Sequence, residues 1–115
     1  MNTIVYVDNN TNCILGKDIS SDEVDYKQSI RYQLAYLETN NYYYVKSESI
    51  TTSLSFSTLF NWKLLRVTNK EITAITDTNY SCIITEQIFI NDILHKEFEK
   101  TVEHNGKPIA AKTYS

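Results

Sequence analysis

Glycine and proline are scarce in this chain, which has two glycines, Gly16 and Gly106, and one proline among 115 residues. Loops that cradle phosphate groups need several closely spaced glycines, because only a backbone without side chains can approach the phosphate closely enough. Two distant glycines cannot supply either of the known patterns. The sequence therefore excludes nucleotide binding of the P-loop and dinucleotide-binding kinds.

Cysteine is also rare, and the two present, Cys13 and Cys82, lie far apart in the sequence. Residues 1–12 lack the basic region and long apolar stretch of a secretory signal. No apolar run reaches the roughly 18 residues that a membrane span needs. We expect two free thiols, a cytoplasmic location and no membrane partner. The alternative is a processed, secreted form in which the two cysteines are bridged.

Basic residues are too few and too scattered for a phosphate-binding face. Lys and Arg total 11 against 14 Asp and Glu, and the net charge is −3. Nucleic-acid-binding domains usually carry a clustered basic patch, so we expect no nucleic acid as partner. Ile, Asn, Tyr and Lys are abundant, whereas Ala and Arg are rare. The abundant group has A/T-rich codons, which indicates a gene from a low-GC bacterium or its phage.

Strand-forming residues dominate what is present, since 32 of the 115 residues are Ile, Val or Thr. Hydrophobic residues at 42% and charged residues at 22% are typical of one globular domain, residues 1–115. Asparagine takes the turn positions between apolar runs, at Asn9-Asn10, Asn40-Asn41, Asn69, Asn79, Asn91-Asp92 and Asn105-Gly106. Strands joined by short turns pair with their neighbours, so we predict an antiparallel β-meander, as a curled sheet or small barrel.

Alternating or apolar segments set the predicted strands: 2–7, 12–15, 49–60, 62–68, 71–77, 80–90, 93–104 and 107–114. Two of these predictions depend on turn chemistry. A hairpin is predicted around Asn69-Lys70, and Asn105-Gly106, the strongest hairpin signal in the chain, should return residues 107–114 along the sheet. The uncharged segment Thr51–Phe60 would be an aggregation hazard at an open edge. We therefore expect it inside the sheet or covered by another subunit.

Residues 20–38 fit two structures. Ser20 and Glu23 have the spacing of a helix capping box. A helical stripe follows at Tyr26, Ile30, Leu34 and Leu37, but a strand would also fit, through the alternation of Ile30, Tyr32, Leu34 and Tyr36. We favour the helix, which gives a mainly β (α+β) fold with one N-terminal helix near residues 20–38 packed on the sheet.

No group of residues has the spacing that catalysis or metal binding requires. His95, Glu97 and Glu99 share one side of a predicted strand and include metal-ligand types, but we favour a solvated strand face as their explanation. The acidic stretch from Asp18 to Asp25 lacks the spacing of a calcium loop and suits a helix start. We expect no enzyme activity, no catalytic residue, no cofactor and no metal site.

Aromatic residues give the clearest indication of function. Tyr42 and Tyr44 follow the Asn40-Asn41 turn and share one strand face, and we group the single tryptophan, Trp62, with them. Large aromatic side chains with a polar group are typical of recognition surfaces. The sequence predicts a non-enzymatic protein-binding module that binds another protein or itself, such as an inhibitor, an immunity protein or a phage anti-defence or virion component. The alternative is a carrier of a small apolar ligand in a cup-like β-barrel.

Overall fold

A computed structural model describes residues 1–57 and 61–115, and of Ser57 only the backbone. The chain forms seven antiparallel strands, each hydrogen-bonded to its neighbours in sequence. They are β1 (Asn2–Val7), β2 (Ile14–Ser20), β3 (Asp25–Leu37), β4 (Tyr42–Ser57), β5 (Asn61–Ile75), β6 (Asn79–Ile90) and β7 (Ile93–Asn105). The prediction of an antiparallel meander is confirmed. β1 and β7 are the two edges of the sheet, so it is open and does not close into a barrel.

The predicted helix is wrong, and residues 25–37 form β3 instead. β3 pairs with β4 along its whole length and with β2 from Lys27 to Arg31. These two ladders satisfy backbone groups on both sides of the strand, and the alternation around Ile30 then outweighs the helical stripe. The capping-box residues lie in or beside the turn that leads into β3, where Ser21 Oγ accepts a hydrogen bond from the Glu23 amide at 3.3 Å.

The predicted turns at Asn9-Asn10, Asn40-Asn41 and Asn91-Asp92 are present, whereas the predictions at Asn69-Lys70 and after Asn105-Gly106 are wrong. Asn41, Asn91 and Asp92 have positive φ angles of 57°, 49° and 66°, as the asparagine turns require. Asn69 lies within continuous strand β5 and makes no turn. After Gly106, with φ 87°, the chain leaves β7 and crosses the sheet. Residues 106–115 therefore form a C-terminal tail, and the predicted returning strand is absent.

The segment Thr51–Phe60 belongs to the centre of the fold as far as the described residues extend. β4 is the fourth of the seven strands and pairs with β3 and β5. From Ser49 to Phe56 the strand alternates, with serines and Thr51 on one side and Ile50, Thr52, Leu54 and Phe56 on the other. The predicted continuation of this alternation to Thr58 and Phe60 lies outside the described residues. An uncharged segment within a central strand has no bare edge on which aggregation could start.

The sheet is a single layer with little buried interior. Its dimensions are 57 × 33 × 16 Å, and its radius of gyration is 16.9 Å, against about 13 Å for a compact chain of this length. Its accessible surface is 8066 Å², whereas a folded monomer of this mass exposes roughly 6,500 Å². Within the described residues only three hydrophobic side chains are buried: Cys13, Tyr44 and Cys82. Those same residues contain no helix that could cross a membrane.

Candidate protein-binding surface

The two faces of the sheet differ in chemistry. One cross-strand row consists of Val5, Lys17, Ile30, Ile50, Thr68, Glu86 and Phe98, and we call this side the front face. The adjacent row on the other side, the back face, is mostly polar and consists of Ile4, Asp18, Ser29, Thr51, Val67, Gln87 and Glu97. Period-two alternation places these two sets on opposite sides.

At one end of the front face, the described residues of β4 to β7 include a cluster of apolar side chains. We call it the open-end patch; it consists of Leu54, Phe56, Trp62, Leu64, Ile90 and Ile93, which are cross-strand partners on β4 to β7. Phe56 and Trp62 pack with their ring centroids 5.4 Å apart. Phe56 is 47% exposed and Ile93 is 64% exposed. Neighbouring apolar side chains that are exposed together mark a surface suited to contact with another macromolecule.

The opposite end of the front face is covered by the C-terminal tail. The amide of Ala111 donates to the Tyr43 carbonyl at 2.7 Å, and the amide of Ile14 donates to the Lys112 carbonyl at 2.9 Å. The hydroxyl of Tyr42 donates to the Pro108 carbonyl. Tyr44, whose backbone bridges to Ala110 of the tail, is only 8% exposed. The tail thus binds to the starts of β2 and β4 through backbone groups that the meander leaves unpaired.

The three residues predicted to bind a partner lie at both ends of the sheet. Tyr42 and Tyr44 are under or beside the tail, and Trp62 is in the open-end patch. Phe56, the strand partner of Trp62, is twelve residues along β4 from Tyr44, which corresponds to about 40 Å. The structure does not bring the tyrosines and the tryptophan together. Their roles in binding stay predictions, and only Trp62 belongs to the exposed apolar surface.

A groove of about 270 Å³ lies between the tail and the front face. Its apolar lining includes Tyr32, Val45, Ile72 and Tyr80 from the sheet and Ile109 from the tail. Burial raises the pKa of Tyr32, and the nearby carboxylate of Glu48 acts in the same direction. Lys17, Lys70 and Lys112 also line this groove, so its walls combine apolar surface with positive charge.

A polar cluster on the back face centres on Asp18, a residue that the sequence reasoning assigned to a helix start. Arg31 donates two hydrogen bonds to the Asp18 carboxylate, at 2.8 and 3.1 Å, and Ser29 and Tyr6 donate at 2.8 and 2.6 Å. These donors, with Arg31 first, hold the pKa of Asp18 well below its usual range. Only the register of β1, β2 and β3 brings the four residues together, so no local spacing in the sequence could have revealed them.

The other residues considered for chemistry lie apart from this cluster. Glu97 accepts a hydrogen bond from Gln87 at 3.1 Å, and His95 lies between the residues that pair with Ile88 and Phe89, at an irregularity of β7. Cys13 and Cys82 are unbridged and buried, and burial raises the pKa of the Cys82 thiol. No group of three or more potential metal ligands occurs among the side chains that the structure describes.

The described residues therefore present an exposed apolar patch, an end covered by the tail and a groove beneath that tail, and comparison with known proteins adds nothing to this. No family model, no curated protein and no solved structure matches this chain.

Proposed function

We propose that this chain is a non-enzymatic protein-binding module whose contact surface is the open-end patch. The observation that carries the proposal is the exposure of the apolar side chains in this patch, with Phe56 at 47% and Ile93 at 64%. Apolar side chains in such numbers are costly to leave in water, and binding a protein removes them from it.

The accessible surface area of the whole chain supports the same proposal. The accessible surface of 8066 Å² exceeds by about 1,600 Å² the area that a folded monomer of this mass exposes. One side of a standard protein–protein interface covers about 800 Å². The excess is thus large enough for a stable interface, and the apolar end of the front face is where its burial would yield most free energy.

An affinity capture from the source cell tests this proposal. Tagged wild-type chain and a double variant, Phe56→Ser with Ile93→Ser, serve as baits, and captured proteins, including untagged copies of the chain, are quantified by mass spectrometry. The wild-type chain should retain a partner that the double variant loses, since truncated interface anchors commonly weaken binding tenfold or more.

Ile4→Ser is the matched control, because Ile4 is 58% exposed but lies on the back face. The control should capture the same partner as the wild-type chain. Capture that is equal for all three baits would contradict a contact surface at the open-end patch.

Within this proposal the partner is another protein or a second copy of the chain, and the cell compartment is the cytoplasm. An inhibitor, an immunity protein and a phage-type anti-defence or virion component all act by contact alone, as a sheet with one apolar end can. The two unbridged cysteines support the cytoplasmic location, because reduced thiols persist in that compartment.

A carrier of small apolar ligands is the second candidate, and the groove under the tail favours it. Its volume of about 270 Å³ lies just below the range of about 300–1,000 Å³ that small-molecule sites usually have. Titration with an apolar fluorescent dye tests this function. A carrier should bind the dye at one site per chain, and Ile72→Lys should abolish that binding while Phe56→Ser leaves it intact.

A further inference from the structure

We propose that the open-end patch is the interface of a homodimer, in which the front faces of two copies pack against each other as a two-layer β-sandwich. This inference rests on the proposed function and names its partner as a second copy of the same chain.

The thickness of the molecule is the first reason. The shortest dimension is 16 Å, which corresponds to one sheet with its side chains on both faces. Sheets in folded proteins gain a dry core by packing on a second layer about 10 Å away. The tail provides such a layer over one end only. A second sheet over the other end would complete a two-layer fold.

The area is the second reason. Each copy exposes about 1,600 Å² more than a monomer of its mass should, and a standard interface requires about 800 Å² from each partner. Two copies therefore have enough surplus surface to form a stable dimer without opening either sheet. A smaller partner, such as a short peptide, would leave most of this surplus in water.

Charge is the third reason, because a two-fold interface brings a patch against itself. The open-end patch contains no ionisable side chain, so its self-contact places no like charges together. The nearest charged groups on the front face are Arg66 and Lys96, the two strand neighbours of Ile88. Arg66 forms a 2.7 Å ion pair with Glu86, and Lys96 Nζ lies 5.7 Å from the ring centroid of Phe98. Charge therefore lies only along the border of the patch, and the patch itself can pack against the same patch of a second copy.

Sedimentation velocity of the purified full chain, from about 1 to 200 µM, tests the inference. The wild-type chain should sediment as a dimer, twice its 13.4 kDa mass, at the higher concentrations. Trp62, the only tryptophan, should shift its emission to shorter wavelength over the same range, because its ring becomes more buried. Ile93→Ser should weaken dimerisation at least about tenfold, and Ile4→Ser should not weaken it.

Each other outcome overturns the inference. A wild-type chain that stays monomeric at 200 µM rules out the homodimer, and the proposed function then survives only if cellular capture still depends on Phe56 and Ile93. A dimer that Ile4→Ser disrupts and Ile93→Ser does not is formed through the β1 side of the sheet. Circular dichroism of both variants verifies that they fold, and Phe56→Ser provides a second patch variant if Ile93→Ser does not.

Discussion

The two ends of the front face share strands β4 to β6, yet one carries the tail and the other is bare. At the covered end, Tyr32 and Val45 line the groove under the tail, and Tyr44, whose backbone bridges to Ala110, is 8% exposed. At the open end, Phe56 is 47% exposed. What separates the two ends is the second layer, since burial depends on what packs over a residue as well as on its own chemistry.

This difference shows which end of the sheet the chain covers with its own residues. A single sheet cannot bury both of its faces, and short backbone contacts from ten residues of tail suffice to cover only one end. The open end lacks an equivalent element among the described residues. The covered end should therefore determine the stability of the monomer, and the open end should determine its association.

Among the changes that test this comparison, removal of the tail should lower the free energy of unfolding most. Deletion of residues 106–115 uncovers the groove residues Tyr32 and Val45 and leaves backbone groups of Tyr43 and Ile14 without their partners. We expect a loss of about 3 kcal/mol or more in the free energy of unfolding, because apolar side chains and backbone groups lose their cover together. Urea denaturation measures it. A deletion variant with unchanged stability would show that the tail does not complete the core.

Truncation of single tyrosines should have the next largest effect. Tyr44→Ala should cost about 3 kcal/mol of unfolding free energy, because the ring is buried. Tyr43→Ala is the matched control: Tyr43 is 39% exposed and packs against Tyr36 with ring centroids 4.9 Å apart. Its loss should cost about 1 kcal/mol. Equal losses of unfolding free energy, measured by urea denaturation, would contradict the distinction between the buried ring of Tyr44 and the exposed ring of Tyr43.

The Asp18 cluster lies on the back face, away from both apolar surfaces, and should affect stability through pH alone. The folded-state pKa of Asp18 is lowered, so its stabilising contribution is present above the unfolded value of about 4 and is lost as the pH falls below it. Asp18→Asn should lower the melting temperature at pH 6 but progressively less from pH 4 downward. Dimerisation at pH 6 should not change.

Asp92→Asn provides the control for this pH dependence. Asp92 forms a longer ion pair, 3.4 Å from Lys63, with both side chains more than half exposed. Such pairs contribute little to stability. A melting temperature of the Asp18→Asn variant that stays equally far below wild type from pH 6 to pH 2 would contradict the assigned ionisation.

The smallest expected effect concerns the turn beside the open-end patch. Asn91 and Asp92 both have positive φ angles, a geometry that an Asn-Gly pair adopts with least strain. Asp92→Gly should therefore raise the free energy of unfolding by about 0.5 kcal/mol. Asp77 lies in another exposed turn without a positive φ, and Asp77→Gly should be neutral or destabilising. A gain at both positions would point to charge removal as the cause.

Much of the fold follows from the residues alone. Alternation on β4 and β6 and asparagine at residues 41 and 91 predict strands and turns that the structure has, because both depend on local backbone preferences. The helix prediction at residues 20–38 was wrong because that segment carries both periodicities. Its choice between them depends on pairing with residues 42–55, which lie far from it in sequence.

Part of the candidate site could also be predicted from the sequence. Trp62 is the only tryptophan in the chain, and the alternation of β4 identifies its apolar residues up to Phe56. Ile90 and Ile93 could not be assigned to the same surface, since only the register of β4 to β7 makes them neighbours. Tyr44 could not be assigned to the interior, because its burial depends on distant segments, and the tail that bridges to its backbone is more than sixty residues away.

The sequence by itself determined that the chain is a β-meander with asparagine turns, an uncharged strand segment at Thr51–Phe60 and no glycine-rich nucleotide site. These properties depend on side-chain periodicity and on backbone preferences within a few residues. Only the tertiary structure decided that residues 25–37 are a strand, that the C-terminal tail covers one end, and that Arg31 and Asp18 meet on the back face. Each of these arises from contacts between distant segments, whose free energy outweighs local propensity once the strands pair.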